Sequence, residues 1–145
     1  MKYPFHSALN SSAEEANFSF SGIKTAVVNL MHNAAQKGET LSKADIAASF
    51  QRAVCDTLTL KAVHAAKEHG FNTLALAGGV SANRALRSSL ARACEEQGIR
   101  FCCPDFRYCT DNAAMIACAG HYALMAGELS GLDLNAAPEL PLVQR

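Results

Sequence analysis

Two adjacent glycines and an asparagine form the part of this sequence best suited to binding a ligand. They lie in residues 74–84, which read Leu-Ala-Leu-Ala-Gly-Gly-Val-Ser-Ala-Asn-Arg, an apolar run typical of a buried parallel strand that leads into a helix. Gly78 and Gly79 let the backbone turn tightly and let a ligand approach where no Cβ stands in the way. The following helix would direct its unpaired N–H groups at that point, which favours a phosphate or carboxylate. The pattern predicts a site for an anionic ligand, with a nucleotide as first choice; the alternative is a strand–helix corner that needs small residues for packing.

The common nucleotide-binding loops have other spacings. No Lys-Ser or Lys-Thr pair follows the glycines, so the phosphate-binding loop of nucleoside triphosphatases is absent. The spacing is also not G-x-G-x-x-G, the pattern of dinucleotide-binding domains. A nucleotide at this position would therefore be held by another class of fold.

Composition limits the class of protein. The 145 residues match one ordinary domain, and the hydrophobic share of 50% argues against disorder. The formal net charge of zero is not the basic footprint of a major RNA-binding surface. No apolar run is long enough to span a membrane, and the N-terminus lacks a signal pattern. We expect a cytoplasmic chain without membrane contacts.

The cysteines and histidines do not form a recognisable metal site. The six cysteines contain no C-x-x-C pair, and several fall in predicted helices, so we interpret them as buried free thiols in a reducing compartment. The five histidines are scattered, without H-E-x-x-H or H-x-x-x-H. This sequence therefore contains no self-sufficient metal site.

Four helices and two strands are predicted to position these residues. Hydrophobic periodicity and capping signals place the helices at 23–36, 45–69, 83–97 and 110–126. The first three are expected to end at a glycine, namely Gly38, Gly70 and Gly98. The long second helix opens with a capping box, Ser42 to Asp45, and repeats apolar residues at helical spacing: Ile46, Phe50, Val54 and Leu58.

The strands are predicted at 71–77 and 99–102, after an alternating stretch at 18–22. The strand–helix–strand order predicts a parallel pair flanked by helices, and so a helix-rich α/β fold. Residues 1–17 read as an irregular lead-in and residues 128–145 as an extended tail, while small residues in the fourth helix would allow another element to approach closely. Because buried parallel strands need neighbours on both sides, we expect a piece of something larger, with a sheet edge that favours self-association.

Four stretches, in this order, resemble the TsaD family of tRNA N(6)-adenosine threonylcarbamoyltransferases, formerly labelled O-sialoglycoprotein endopeptidase or glycoprotease. They are FSFSGIKT at 18–25, the long helix from Asp45, AGGVSANR at 77–84 and CTDNAAMIA at 109–117. The resemblance implies the ribonuclease H-like fold of actin, sugar kinases and heat-shock ATPases, in which two lobes enclose a nucleotide. It further implies that residues 1–145 are the C-terminal part of the second lobe. The first lobe and its H-x-x-x-H metal pair are absent from this sequence.

The resemblance also implies roles for particular residues. Asn83 matches the family's ligand-binding asparagine, although on pattern alone it could equally cap a helix. Asp111 matches the family's aspartate ligand to iron or zinc, although an acid is also favoured at a helix N-terminus. Gly78 and Gly79 would line the phosphate region of ATP or of threonylcarbamoyl-adenylate.

The implied activity is an acyl transfer to tRNA. The threonylcarbamoyl group moves from threonylcarbamoyl-adenylate to the N6 amine of the adenosine 3′ of the anticodon, in tRNAs reading codons that begin with A. Bacterial members are expected to work with TsaB and TsaE-type subunits, and the metal would orient and polarise the donor. Without the histidine pair, we expect this isolated chain to be inactive.

Two other hypotheses remain. The missing metal pair favours a non-catalytic helical module that docks on a partner subunit. A metallopeptidase, as in the old family label, is opposed by the lack of a zinc-ligand pair, of a general-base glutamate in a helix motif and of a nucleophile–base arrangement.

Overall fold

Four α-helices and one pair of parallel strands make up the computed structural model, which describes residues 2–5, 18 and 20–136. In chain order the elements are α1 (Phe20–Gln36), α2 (Lys43–Glu68), β1 (Thr73–Ala75), α3 (Arg84–Glu96), β2 (Arg100–Cys102) and α4 (Ala113–Met125). The prediction of a helix-rich α/β fold is confirmed. The chain forms two compact units, Met1–Thr110 and Asp111–Arg145.

Helix α2 is the central element of the first unit. It has 26 residues and is therefore about 39 Å long, and Ser42 Oγ accepts the Asp45 N–H at 3.3 Å, as the capping signal predicts. Its N-terminal half packs with α1, and its C-terminal half with α3 and the strands. The buried residues of the first cluster are Phe5, Ile23, Ile46 and Ala53; those of the second are Val63, Ala66, Cys94 and Ile99.

The apolar residues predicted to be buried on α2 coincide only partly with those that the structure buries. Ile46 is buried, but Phe50 is 39% exposed and Val54 and Leu58 are half-buried. Small residues such as Ala53, which is fully buried, are enclosed instead. Elements pack on two sides of α2, so burial is not confined to the single face that a periodicity argument assumes.

Helix α1 begins earlier than predicted. Phe20, Ser21 and Gly22 are its first residues, although their alternation with Phe18 suggested an extended segment ending before Ile23. Thr25 Oγ1 donates to the Ser21 carbonyl at 3.0 Å, one turn back along the helix. A two-residue alternation this short is a weaker signal than the burial of Ile23 against α2, which draws the whole segment into the helix.

The two strands are parallel, as predicted, but each is only three residues long. Thr73, Leu74 and Ala75 pair with Arg100, Phe101 and Cys102. The prediction that 71–77 is a buried interior strand is wrong for this chain, because Thr73 and Ala75 are exposed and Leu74 is half-buried. A strand extends only as far as it has a partner, and β2 supplies three residues.

One face of this small sheet is open. A mainly apolar pocket of about 380 Å³ lies beside β1 and α2. Its lining includes Leu58, Ala62, Leu74, Leu76, Leu86 and Leu90. The apolar residues that the strand pattern singled out thus border a cavity rather than a closed core.

The second unit contains α4. Asn112 caps this helix, accepting the Met115 N–H at 2.9 Å, and every residue of α4 is exposed or half-buried. The described part of the predicted tail, 128–136, contains neither helix nor strand, while Pro138 and Pro141 lie outside the described residues. Among the helices that the structure describes, none has the length and apolar character needed to cross a membrane.

Candidate functional site

The Gly-Gly segment forms a tight turn that begins three residues after the end of β1. Gly78 has φ +82° and ψ 175°, a conformation that side chains with a Cβ rarely adopt. Residues Gly79–Ala82 then form a single 3-10 turn, in which the Ser81 N–H donates to the Gly78 carbonyl at 2.9 Å. Apart from each glycine and its two chain neighbours, no residue of the described chain comes within 4 Å of where a Cβ would stand on Gly78 or Gly79. The backbone of this turn is therefore open to a close approach.

The helix after the turn begins later than the sequence suggested. The 3-10 turn Gly79–Ala82 lies between Gly78 and α3, which begins only at Arg84. The first turn of α3 also has an internal partner, because Asn83 Oδ1 accepts the Leu86 N–H at 3.0 Å. That the N-terminal N–H groups of α3 favour an anion beside the glycines stays a prediction, in which the capped Leu86 N–H takes no part; the turn itself offers accessible peptide backbone.

Asn83 is the N-cap of α3. Besides the bond to Leu86, its Nδ2 donates to Gln51 Oε1 on α2 at 3.3 Å. Asn83 is half-buried. Asn83 therefore caps α3. A ligand-binding role stays a prediction, in which the ligand would bind the amide that α2 and α3 hold in place.

Ser81 contributes a buried hydroxyl to the same turn. It is fully buried, and its Oγ has no hydrogen-bond partner among the described residues. An unsatisfied buried hydroxyl is costly, so the turn is held in place by other contacts.

Asp111 does not by itself make a metal site. It is exposed and lies directly before the cap residue of α4, in the second unit. Within residues 2–5, 18 and 20–136, no group of three or more His, Cys, Asp or Glu side chains is arranged to hold a metal ion. A single carboxylate does not provide the three or four ligands that iron or zinc needs.

A polar groove of about 890 Å³ runs between α2 and α3. Gln51, the partner of Asn83, is part of its lining. Lys2 pairs with Asp45 at 2.7 Å, and Arg52 pairs with Asp56 at 2.7 Å. The hydrogen bond from Lys2 lowers the pKa of the Asp45 carboxyl, so this carboxylate stays ionised at neutral pH. Lys2 and Arg52 therefore each have a carboxylate partner within the groove.

The cysteines are unpaired, as interpreted from the sequence, but not all are buried. Cys103 and Cys118 are exposed, while Cys55, Cys94 and Cys109 are buried. Burial raises the pKa of the Cys55 and Cys94 thiols, which keeps them protonated and poorly nucleophilic.

Two residues beside the turn were missed by sequence reasoning. Gln51 contacts Asn83 from another helix, and Arg87 donates to the Ser81 carbonyl and to that of Pro104. Arg87 follows Asn83 by one helical turn, which places it on the face of α3 next to the 3-10 turn. That spacing is the one signal that could have drawn attention to it.

Substitutions of Asn83 should separate its capping and binding roles. Asn83→Ser keeps an oxygen that can accept the Leu86 N–H, so we expect near-native stability but weaker ATP binding. Asn83→Ala removes both functions and should also lower the free energy of unfolding by about 1 kcal/mol. Urea unfolding and calorimetric titration with ATP measure the two effects. Native ATP affinity in Asn83→Ser would mean that Asn83 is a cap only.

A parallel strand pair with a glycine turn between strand and helix is the arrangement of an α/β ligand-binding segment. A sequence model of the family described as "TsaD: tRNA N6-adenosine threonylcarbamoyltransferase" matches residues 2–118. The chain belongs to this family.

Curated relatives agree with the family match. A protein named tRNA N6-adenosine threonylcarbamoyltransferase from Caldicellulosiruptor saccharolyticus is 46% identical over 144 residues, which cover 99% of this chain and 41% of the relative. Proteins of the same name from Clostridium botulinum and Staphylococcus aureus are 45% and 46% identical, over 89% and 87% of this chain and 38% and 37% of their own length. The chain therefore spans about two fifths of the length of these relatives.

Proposed function

We propose that this chain is the donor-binding part of a transferase that moves a threonylcarbamoyl group from threonylcarbamoyl-adenylate to the N6 amine of the adenosine 3′ of the anticodon, in tRNAs reading codons that begin with A. The N6 nitrogen would bond to the carbamoyl carbon as the bond from that carbon to the AMP phosphate oxygen breaks. The observation that carries the proposal is the open backbone at Gly78 and Gly79, which follow β1 after two intervening residues. The relatives' shared name supports the reaction class.

Each part of the turn has a proposed contribution to donor binding. The peptide groups of Gly78 and Gly79 would bind the phosphate of the donor, or those of ATP. The Asn83 amide, held by Leu86 and Gln51, would bind the ribose hydroxyls or the carbamoyl group, since an amide can both donate and accept.

Further parts of the machinery would come from outside this sequence. We propose that residues 1–145 are the C-terminal part of the second actin-like lobe. Asp111 would be one ligand of an iron or zinc ion whose histidine ligands lie elsewhere. TsaB and TsaE-type subunits and tRNA are the proposed partners of the whole assembly.

The isolated chain should transfer no threonylcarbamoyl group to tRNA. Its described residues include the proposed donor site but no group of three or more side chains that could hold a metal ion. The measurement is mass spectrometry of nucleosides from tRNA incubated with the chain, threonine, bicarbonate, ATP and an enzyme that makes the adenylate. Robust formation of the modified adenosine would contradict the proposal that the metal site needs residues from outside this sequence.

A chimera tests the function itself. In it, this chain replaces the matching 144 residues of the Caldicellulosiruptor saccharolyticus relative. We expect the chimera to modify tRNA and its Asp111→Asn variant to lose that activity. A folded but inactive chimera that still bound its partner subunits would favour the docking-module hypothesis instead.

A further inference from the structure

A single guanidinium joins the glycine turn to the loop that follows β2. Arg87, on the first turns of α3, donates through Nε to the Ser81 carbonyl and through Nη2 to the Pro104 carbonyl at 2.5 Å. Ser81 belongs to the 3-10 turn after the glycines, and Pro104 follows β2. The two carbonyls are far apart in sequence, and this side chain connects them directly.

The Arg87 side chain also contacts three residues of the segment that follows β2. Its Nη1 lies 3.4 Å from Cys103 Sγ, and its Nη2 lies 3.0 Å from Cys109 Sγ. The guanidinium also stacks 4.2 Å from the centre of the Phe106 ring. A planar group with five fixed donors can make all these contacts at once, whereas a lysine ammonium cannot.

The segment that Arg87 holds leads directly into the implied metal ligand. Cys109 is 3% exposed and Asp111 is two residues further along the chain. The contacts of Arg87 therefore hold the end of the first unit as far as Cys109.

We propose that Arg87 is a positioning residue that couples nucleotide binding at Gly78 and Gly79 to the conformation of the loop before Asp111; this inference rests on the proposed function of the turn. A ligand on the turn would fix the Ser81 carbonyl, which fixes the guanidinium and, through it, the Pro104 carbonyl and Cys109. The proposed coupling lies wholly within the first unit, which ends at Thr110.

The thiol of Cys109 provides the readout. In the native chain we expect alkylation of Cys109 by iodoacetamide, followed by mass spectrometry, to be slow and to slow further, by about fivefold or more, at saturating ATP. The exposed Cys118 thiol, which Arg87 does not contact, serves as the internal reference. In Arg87→Met, alkylation of Cys109 without ATP should be faster, ATP should no longer slow it, and the affinity for ATP should fall by about tenfold.

The matched control is Arg92→Met. Arg92 lies on the same helix, but its side chain is 71% exposed and its partner is Glu96 at 4.0 Å. This variant should behave as the native chain in all three measurements. Arg87→Lys, which keeps the charge, should behave like Arg87→Met, and it decides the question if Arg87→Met does not fold.

The outcomes distinguish the coupling from the nucleotide site. If the native chain binds ATP but Cys109 does not respond, and Arg87→Lys binds ATP with native affinity, the coupling is overturned while the nucleotide site stands. If the native chain does not bind ATP, the proposed nucleotide site and the coupling that rests on it are both overturned. The Cys109 rate of the ligand-free variants then still shows whether Arg87 holds the loop.

Discussion

Replacing Gly79 by alanine should weaken ATP binding by about tenfold or more, a loss of about 1.4 kcal/mol in binding free energy, without destabilising the chain. Gly79 does not have a positive φ, and a Cβ built there meets no described residue within 4 Å other than its chain neighbours. The alanine methyl group would stand in the open space that a phosphate needs in order to reach the backbone. The free energy of unfolding should therefore change by less than about 0.5 kcal/mol.

Gly78→Ala is the matched comparison. Its φ of +82° is strained for alanine, so this variant should lose about 1–2 kcal/mol of stability. Isothermal titration calorimetry with ATP gives the affinity of each variant, and urea unfolding gives its free energy of unfolding. Native ATP affinity in Gly79→Ala would show that the glycine pair serves packing and turning only, the alternative left open by the sequence.

Replacing Ile23 by alanine should lower the free energy of unfolding by about 3 kcal/mol. Ile23 is 1% exposed and packs with Phe5, Ile46 and Ala53 between α1 and α2. Deleting its outer carbons removes buried apolar surface and leaves a cavity that two rigid helices cannot fully close. Urea unfolding followed by circular dichroism measures the change.

Val28→Ala is the control for this prediction. Val28 lies on the same helix and is also β-branched, but it is 56% exposed. Its loss should change the free energy of unfolding by less than about 0.5 kcal/mol. Equal effects of the two substitutions would mean that α1 is not anchored through Ile23.

Local signals predicted the helices of this chain well. The Ser42 cap and the glycine after α2 act through neighbouring backbone groups, so residues close in sequence contain the information. Strand length could not be found in the same way. The apolar run at 71–77 is compatible with a long buried strand, but only residues opposite Arg100–Cys102 have a partner.

The sequence singled out Gly78 and Asn83 for the candidate site, but it predicted only part of their geometry. Gly78 adopts the positive φ that its type suggests, whereas the 3-10 turn that separates it from α3 has no distinct pattern. Asn83 satisfies a helix cap and a contact to Gln51, two roles that one sequence position cannot reveal together. The contacts of Arg87 span 6 to 22 positions, so they follow from tertiary structure alone.

The two-sided packing of α2 has a thermodynamic consequence for the first unit. Helix α2 contributes buried residues both to the cluster around Ile23 and to the cluster around Cys94. Opening either cluster removes support from the other, so the two cannot behave as independent folding units. A substitution at the α1 end of this helix therefore alters the population of open states at the Asn83–Gln51 contact, although no atom there has been changed.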